Sequence, residues 1–165
     1  MDNGGFSGFD ATAFRKMLER NRQHANHCLF VAVPDIVANA RRTLEIFKLR
    51  HEMAWIPNIF PVALVAQDGI ESLDIPWTDL QAIFIGGGDP WKDSSHAKDV
   101  VRTAKILGKH VHIGRVNTPK RFKTFHELGA DTCDGTGVVK YSDMLEKIKS
   151  ELCQTSHPLF QEATP

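Results

Sequence analysis

Carboxylates, one amide and a set of glycines stand at places in this sequence where side chains of those types could act together. Asp134 heads Asp134-Gly135-Thr136-Gly137, Asp35 follows Pro34, and Gln67 leads Gln67-Asp68-Gly69. Gly86-Gly87-Gly88 runs into Asp89, Gly114 precedes Arg115, and Asp2-Asn3-Gly4-Gly5 lies near the first residue. Two carboxylates at one centre can divide covalent or electrostatic work from proton transfer. An ionised Asp only accepts hydrogen bonds, whereas a Gln amide both donates and accepts. Backbone N–H groups in a glycine run are suited to anions.

Each of these residues also has a plain structural use. Asp35 sits between an apolar run and a helical pattern, where an Asp serves as an N-cap. Gly86 to Gly88 reads as a tight turn as readily as a phosphate cradle, and D-G-T-G reads as a turn. Gln67 ends the run Ala63-Leu64-Val65-Ala66, so its amide needs partners if it is buried. His110 and His112 fall on one side of a strand; without a third ligand at metal spacing they read as packing or orienting residues, and no metal is expected. Arg102, Lys105, Lys109, Arg115, Lys120, Arg121 and Lys123 crowd one stretch, as a solvated face or as a track for phosphates through Arg115, Lys120 and Arg121.

The elements that must position these residues follow from hydrophobic periodicity. Runs rich in β-branched residues span Leu29 to Val33, Val62 to Ala66, Ala82 to Ile85, His110 to Ile113 and, more weakly, Ala130 to Cys133. Between them lie helical patterns: Asp10 capping Phe14, Met17 and Leu18; Val37, Ala40, Leu44 and Phe47 after Asp35; Ala97 to Leu107 after Ser94 and Ser95, closed by Gly108. Thr118-Pro119 opens a helix that Gly129 ends, and Ser142 opens a last one with Met144, Leu145 and Ile148 inward. Strands this apolar, alternating with amphipathic helices, predict an α/β fold with a parallel sheet of five or six strands. In such sheets the ligand lies beyond the carboxyl ends of the strands, which is where Asp35, Gln67, Gly86 to Gly88, Gly114, Arg115 and Asp134 fall.

Size and charge bound the reading. The chain has 165 residues, 42% of them hydrophobic, with 20 Lys plus Arg against 20 Asp plus Glu. A closed (β/α)8 barrel usually needs about 250 residues, so the expected sheet is an incomplete TIM-barrel-like one. One domain over residues 1–153 and a tail over 154–165 are expected. A pI near 7.1 argues against a generic nucleic-acid binder, for which a value above about 9 is usual. Cys28, Cys133 and Cys153 form no C-x-x-C pair, a pattern of reduced proteins. With no signal-like start and no apolar run of membrane-spanning length, a cytoplasmic protein without membrane contact is expected.

Taken in order, the rim motifs resemble the tRNA-guanine transglycosylase family, including relatives that insert 7-deazaguanine bases into DNA. DNGGFS at Asp2 to Ser7 is similar to the family's D-S-G-G-[FY]-Q loop, which implies Asp2 as general acid/base and Phe6 as support for the base. VPDIV places a guanine-reading aspartate at Asp35, and LVAQDG places a base-reading glutamine at Gln67. FIGGGDP is similar to the G-G-L loop and implies base-contacting amides at Gly86 and Gly87. HIGRVNTP matches the M-G-V-G-x-P segment at Gly114, and GADTCDGTG places the nucleophile at Asp134. The family's C-x-C-x-x-C zinc motif has no counterpart here.

The resemblance implies exchange of guanine or a 7-deazaguanine base through a covalent ribosyl intermediate on Asp134. The acceptor would be tRNA, DNA or a nucleoside, and no cofactor would be needed. Two other readings stand beside it: a purine- or nucleoside-binding module without turnover, and a (βα)-type enzyme for a phosphorylated small molecule held by the glycine loops. An incomplete barrel exposes strand edges, so the first helix, the C-terminal segment or a second copy in a homodimer is expected to cover them.

Overall fold

Every apolar run becomes a strand, and all the strands are parallel. The computed structural model describes residues 1–4, 8–50, 56–137 and 142–155. The strands are β1 (Val31–Ala32), β2 (Val62–Ala66), β3 (Ala82–Ile85), β4 (His110–Ile113) and β5 (Thr132–Cys133), hydrogen-bonded in chain order. Helices α1 (Ala11–Arg20), α2 (Ala40–Leu49), α3 (Asp89–Lys92), α4 (Ser95–Ile106), α5 (Pro119–Glu127) and α6 (Ser142–Thr155) precede, link and follow them. A sequential parallel order with intervening helices curls the sheet into a half-barrel. Among the described residues no helix is long and apolar enough to cross a membrane.

Strand periodicity divides the side chains between two faces. Val31, Val33, Leu64, Ala66, Ile83, Ile85, Val111 and Ile113 point toward the helices and form the main core with Phe14, Leu18, Leu44, Phe47, Val101 and Phe125. The opposite, concave face carries Phe30, Ala63, Ala82 and Phe84, a separate small cluster. The register Ala82 to His110 and Phe84 to His112 to Thr132 puts both histidines and Thr132 on this same face. Small residues at Ala63 and Ala82 leave room for the rings of Phe30 and Phe84, which meet edge to face at 6.4 Å.

Helix boundaries follow the caps, with one difference. Asp10, Ser94 and Thr118 accept from main-chain N–H groups of the first turns of α1, α4 and α5, and Gly108 and Gly129 take the left-handed conformation past two helix ends. The helix after β1 starts at Ala40, not directly after Asp35. Asn39 caps it through Arg42 N at 3.0 Å, which leaves the Asp35 carboxylate free for other partners. Thr43 Oγ1 ties Ile36 through both its N–H and its C=O, so residues 36–39 form a turn and Val37 is exposed. Leu29 also lies outside its strand and is 62% exposed, and Leu145 faces outward while Met144 and Ile148 are buried. Residues 156–165 of the expected tail lie outside the described residues.

The β1 edge is met by main chain. Met1 N donates to Phe30 O, and Ala32 N donates to Met1 O at 3.0 Å. That is the bonding pattern of a parallel neighbour, and it delivers Asp2 and Asn3 to the carboxyl end of the sheet.

The ends of β4 and β5 press together closely enough to demand a glycine. Val116 N donates to Asp134 O at 2.6 Å, and a Cβ at Gly135 would stand 2.3 Å from Val116 O. Backbone cannot swing aside as a side chain can, so Gly135→Ala is expected to destabilise the fold by about 1–3 kcal/mol. Urea denaturation read by far-UV circular dichroism checks this, with a lower midpoint expected at unchanged slope.

Candidate active site

At the carboxyl ends of the strands lies a cleft of about 440 Å³ lined by Asp2, Asn3, Asp35, Gln67, Gly86, Gly87, Gly114, Arg115 and Asp134, among others. That volume lies within the usual range for small-molecule sites. Eight residues singled out in the sequence thus meet in one place: Asp2, Asp35, Gln67, Gly86, Gly87, Gly114, Arg115 and Asp134. Phe6 lies outside the described residues. Lys120 and Arg121 do not line the cleft.

Asp35 is the centre of an amide–carboxylate–amide array. Asn3 Nδ2 donates to its Oδ1 at 2.9 Å and Gln67 Nε2 to its Oδ2 at 2.7 Å. Asn3, buried at 6% exposure, also donates to Val33 O at 2.9 Å. Gln67 Oε1 accepts from Ala38 N at 3.0 Å, and Ala38 pays for that contact with φ of 59°, a strained value for a residue with a Cβ. Each carboxylate oxygen has two lone-pair directions and each amide nitrogen two hydrogens. The array therefore keeps acceptor capacity on Asp35 and donor capacity on Gln67 after its internal bonds are made. Burial pushes the Asp35 carboxyl above its ordinary range, partly offset by the two amide bonds and reinforced by the nearby Asp2 charge.

Asp134 is displaced in the opposite direction. Its Oδ2 accepts from His112 Nε2 at 3.0 Å and its Oδ1 from Arg115 N at 2.8 Å. The His112 bond, more than the Arg115 N–H and the surrounding cations, keeps this carboxyl below its usual range despite burial. Arg115 adopts φ of 56°, and its Nη2 donates to Gly87 O at 2.9 Å. Strain of this kind concentrates where a particular backbone direction is needed, here to aim one N–H at Asp134.

The glycine triplet serves packing. Gly86 N and Gly87 N both donate to Ala66 O, at 2.9 and 3.1 Å, and Gly88 N donates to Asp68 Oδ2 at 2.7 Å. A Cβ at Gly87 would stand 2.3 Å from the Trp91 ring, and one at Gly86 2.7 Å from Val65 Cγ1. These amides are thus committed to the protein; the glycines shape the cleft wall. The D-G-T-G stretch is similar, with Gly137 N donating to Asn117 Oδ1 at 3.1 Å.

No protein-family model matches the chain, and no curated protein matches it.

Two residues that sequence reasoning passed over support the site. Asn3 gave no signal beyond its place in DNGG. Lys92 lies in a short helix that looks solvent-facing, yet its side chain is fully buried and Nζ donates to Gly114 O at 2.8 Å. Burial, and then the Arg115 cation, lower the Lys92 pKa to about 8. Its charge adds a small lowering effect on the Asp134 carboxyl.

The basic stretch is largely paired. Lys105 bonds both oxygens of Asp131 at 2.7 Å, Lys109 reaches Leu80 O, and Arg102 meets Asp99. Arg121, 8% exposed, gives Nε and Nη2 to Asp93 at 3.1 and 2.9 Å and Nη1 to Asp89 at 3.1 Å. The guanidinium holds the Asp93 carboxyl below its ordinary value. A lowered folded pKa contributes stability above the unfolded value and loses it as pH falls through the folded one. Arg121→Met should therefore cost about 1–2 kcal/mol at neutral pH, discounted for the exposed carboxylates. The deficit should shrink in acid as Asp93 protonates in both proteins, which denaturation at pH 7 and below pH 3 checks. Among the described residues no group of three His, Cys, Asp or Glu is placed to hold a metal.

Proposed function

We propose that this protein exchanges a guanine-type base at a ribosyl C1′, with Asp134 as nucleophile and Asp2 as general acid/base. The observation that carries this reading is one cleft lined together by Asp2, Asp35, Gln67 and Asp134. Asp134 accepts from His112 Nε2 and Arg115 N, and Asp35 lies half-buried between the Asn3 and Gln67 amides. Base exchange passes through an oxocarbenium-like state that a carboxylate traps as a glycosyl ester, releasing the base; an incoming base then attacks C1′ and expels Asp134 as a carboxylate. This is the division of labour of retaining glycosidases. A second group must protonate the departing base and take a proton from the arriving one, and Asp2 lines the same cleft.

The array around Asp35 suits guanine. The N1–H and 2-amino group of guanine lie side by side and match an acceptor-only carboxylate, while O6 needs a donor such as the second Gln67 amide hydrogen. A 7-deazaguanine presents the same edge. With the triplet amides already bonded to Ala66 and Asp68, a phosphate cradle there is the weaker alternative. Were the acceptor tRNA or DNA, the target nucleotide would be flipped into the cleft.

The test is incorporation of radiolabelled guanine, or of a 7-deazaguanine, into tRNA, DNA or a nucleoside by the purified protein. Label transfer into any of them is the expected result. Purine binding by calorimetry without incorporation marks a binding module, and neither binding nor incorporation overturns the reading.

A further inference from the structure

We infer that His112 is a positioning residue for Asp134, and that Thr132, backed by His110, fixes which nitrogen of His112 faces the carboxylate. The catalytic part of this inference rests on the base-exchange reading; the structural part does not. Three contacts form the chain: His112 Nε2 to Asp134 Oδ2 at 3.0 Å, His112 Nδ1 to Thr132 Oγ1 at 2.8 Å, and His110 Nε2 to the same Oγ1 at 2.9 Å. An ionised carboxylate has no hydrogen to give, so Nε2 must carry one. Thr132 has a single hydroxyl hydrogen between two imidazole nitrogens. With that hydrogen on the His112 side, Nδ1 accepts it and His110 Nε2–H donates to Oγ1, which leaves every member of the chain satisfied.

Packing pins the ring in this orientation. His112 lies against Phe84 with centroids 4.6 Å apart and against Phe30 at 5.3 Å, and its side chain is only 13% exposed. Asp134, by contrast, is 52% exposed and sits past the last residue of a two-residue strand. Arg115 N holds one of its oxygens, Oδ1, and the His112 ring holds the other. The β4–β5 register, His112 opposite Thr132, places the hydroxyl where the relay needs it. The charged and titratable groups around the chain are Asp134, Cys133, Arg115 and Lys92 at the upper end. His110, Asp131 and Lys105 lie at the lower end, and His24, His27 and Cys28 line the lower cavity that His112 and Thr132 also border.

The experiment compares wild type with His112→Phe, His112→Gln and Thr132→Val. Phe keeps the ring packing and removes the donor; the Gln amide nitrogen can reach the carboxylate in place of Nε2. One readout needs no activity: the Asp134 side-chain carboxyl is followed through an acid titration by carbon-13 NMR. The titration midpoint should move up in His112→Phe and return toward wild type in His112→Gln. The second readout is exchange kinetics: kcat should fall about 10²-fold in His112→Phe, the scale of a misplaced reacting group, with KM for guanine unchanged. His112→Gln should recover most of that loss, and Thr132→Val should fall between. An unmoved Asp134 midpoint together with a wild-type kcat in His112→Phe overturns the positioning role. Absence of exchange in wild type overturns the base-exchange reading alone, and the NMR midpoint then decides the His112–Asp134 link by itself.

Discussion

Asp134→Asn is expected to abolish base exchange, by about 10⁴-fold or more, while the protein stays folded and still binds guanine. The chemical loss is complete because an amide oxygen neither forms a stable glycosyl ester nor balances an oxocarbenium charge. The fold survives for a reason specific to this site. Both Asp134 oxygens face donors, Arg115 N and His112 Nε2, so an Asn would turn an NH2 group against one of them. His112 can yield where Arg115 cannot: its hydrogen moves to Nδ1, which then donates to Thr132 Oγ1, and Nε2 accepts from the Asn. The Thr132 hydroxyl reverses toward His110 Nε2, which accepts once its own hydrogen has moved to Nδ1, and the contacts of the chain are made again. Denaturation should therefore differ from wild type by less than about 1 kcal/mol. A covalent protein–nucleic acid adduct surviving denaturing electrophoresis should form with wild type and be absent with Asp134→Asn. An Asn variant that exchanges at the wild-type rate would remove Asp134 from the chemistry.

How far the sequence led can be judged residue by residue. Gln67, Asp35, Gly114 and Asp134 were legible because each ends an apolar run, and parallel strands of a βα sheet bring their ends to one rim whatever the details of packing. Helix caps at Asp10, Ser94 and Thr118 were legible for a similarly local reason: the cap and the N–H it accepts are within three residues. The Asn3–Asp35–Gln67 array was not, since its members lie 32 residues apart in sequence on either side of Asp35. The N-cap role open to Asp35 passed to Asn39, because Thr43 holds the preceding turn and delays the helix. Lys92 was hidden for the opposite reason. Local pattern marks a lysine after Trp91 as exposed, and only the descent of its ammonium onto Gly114 O explains its burial. The glycine triplet misled in a third way: its backbone is constrained as a ligand cradle would be, but Ala66 and Asp68 supply the constraint.

Asp35→Asn is expected to weaken guanine binding by about 10²–10³-fold, since two hydrogen bonds to a charged group contribute roughly 1.5–3 kcal/mol each. Asn can accept from the guanine edge through one atom only. Its NH2 would also oppose either Asn3 Nδ2 or Gln67 Nε2, both of which now donate to Asp35, so part of the loss comes from disturbing Gln67. Hypoxanthine, which lacks the 2-amino group, should bind wild type about 10–100-fold more weakly than guanine for loss of one such bond. Adenine, with no N1–H, should fare worse still. The pH dependence separates Asp35 from Asp134. Burial raises the Asp35 pKa, and guanine prefers the ionised form, so affinity should rise with pH as Asp35 ionises and fall away in acid already above the ordinary aspartate value of about 3.9. Asp134, lowered by His112, should remain ionised through that window. The acid limb of kcat/KM for guanine should accordingly follow Asp35 and vanish in Asp35→Asn, whereas kcat at saturating base should hold to lower pH. Isothermal titration calorimetry of guanine between pH 4.5 and 8, wild type against Asp35→Asn, decides the matter. Equal, pH-independent affinities would remove Asp35 from base recognition.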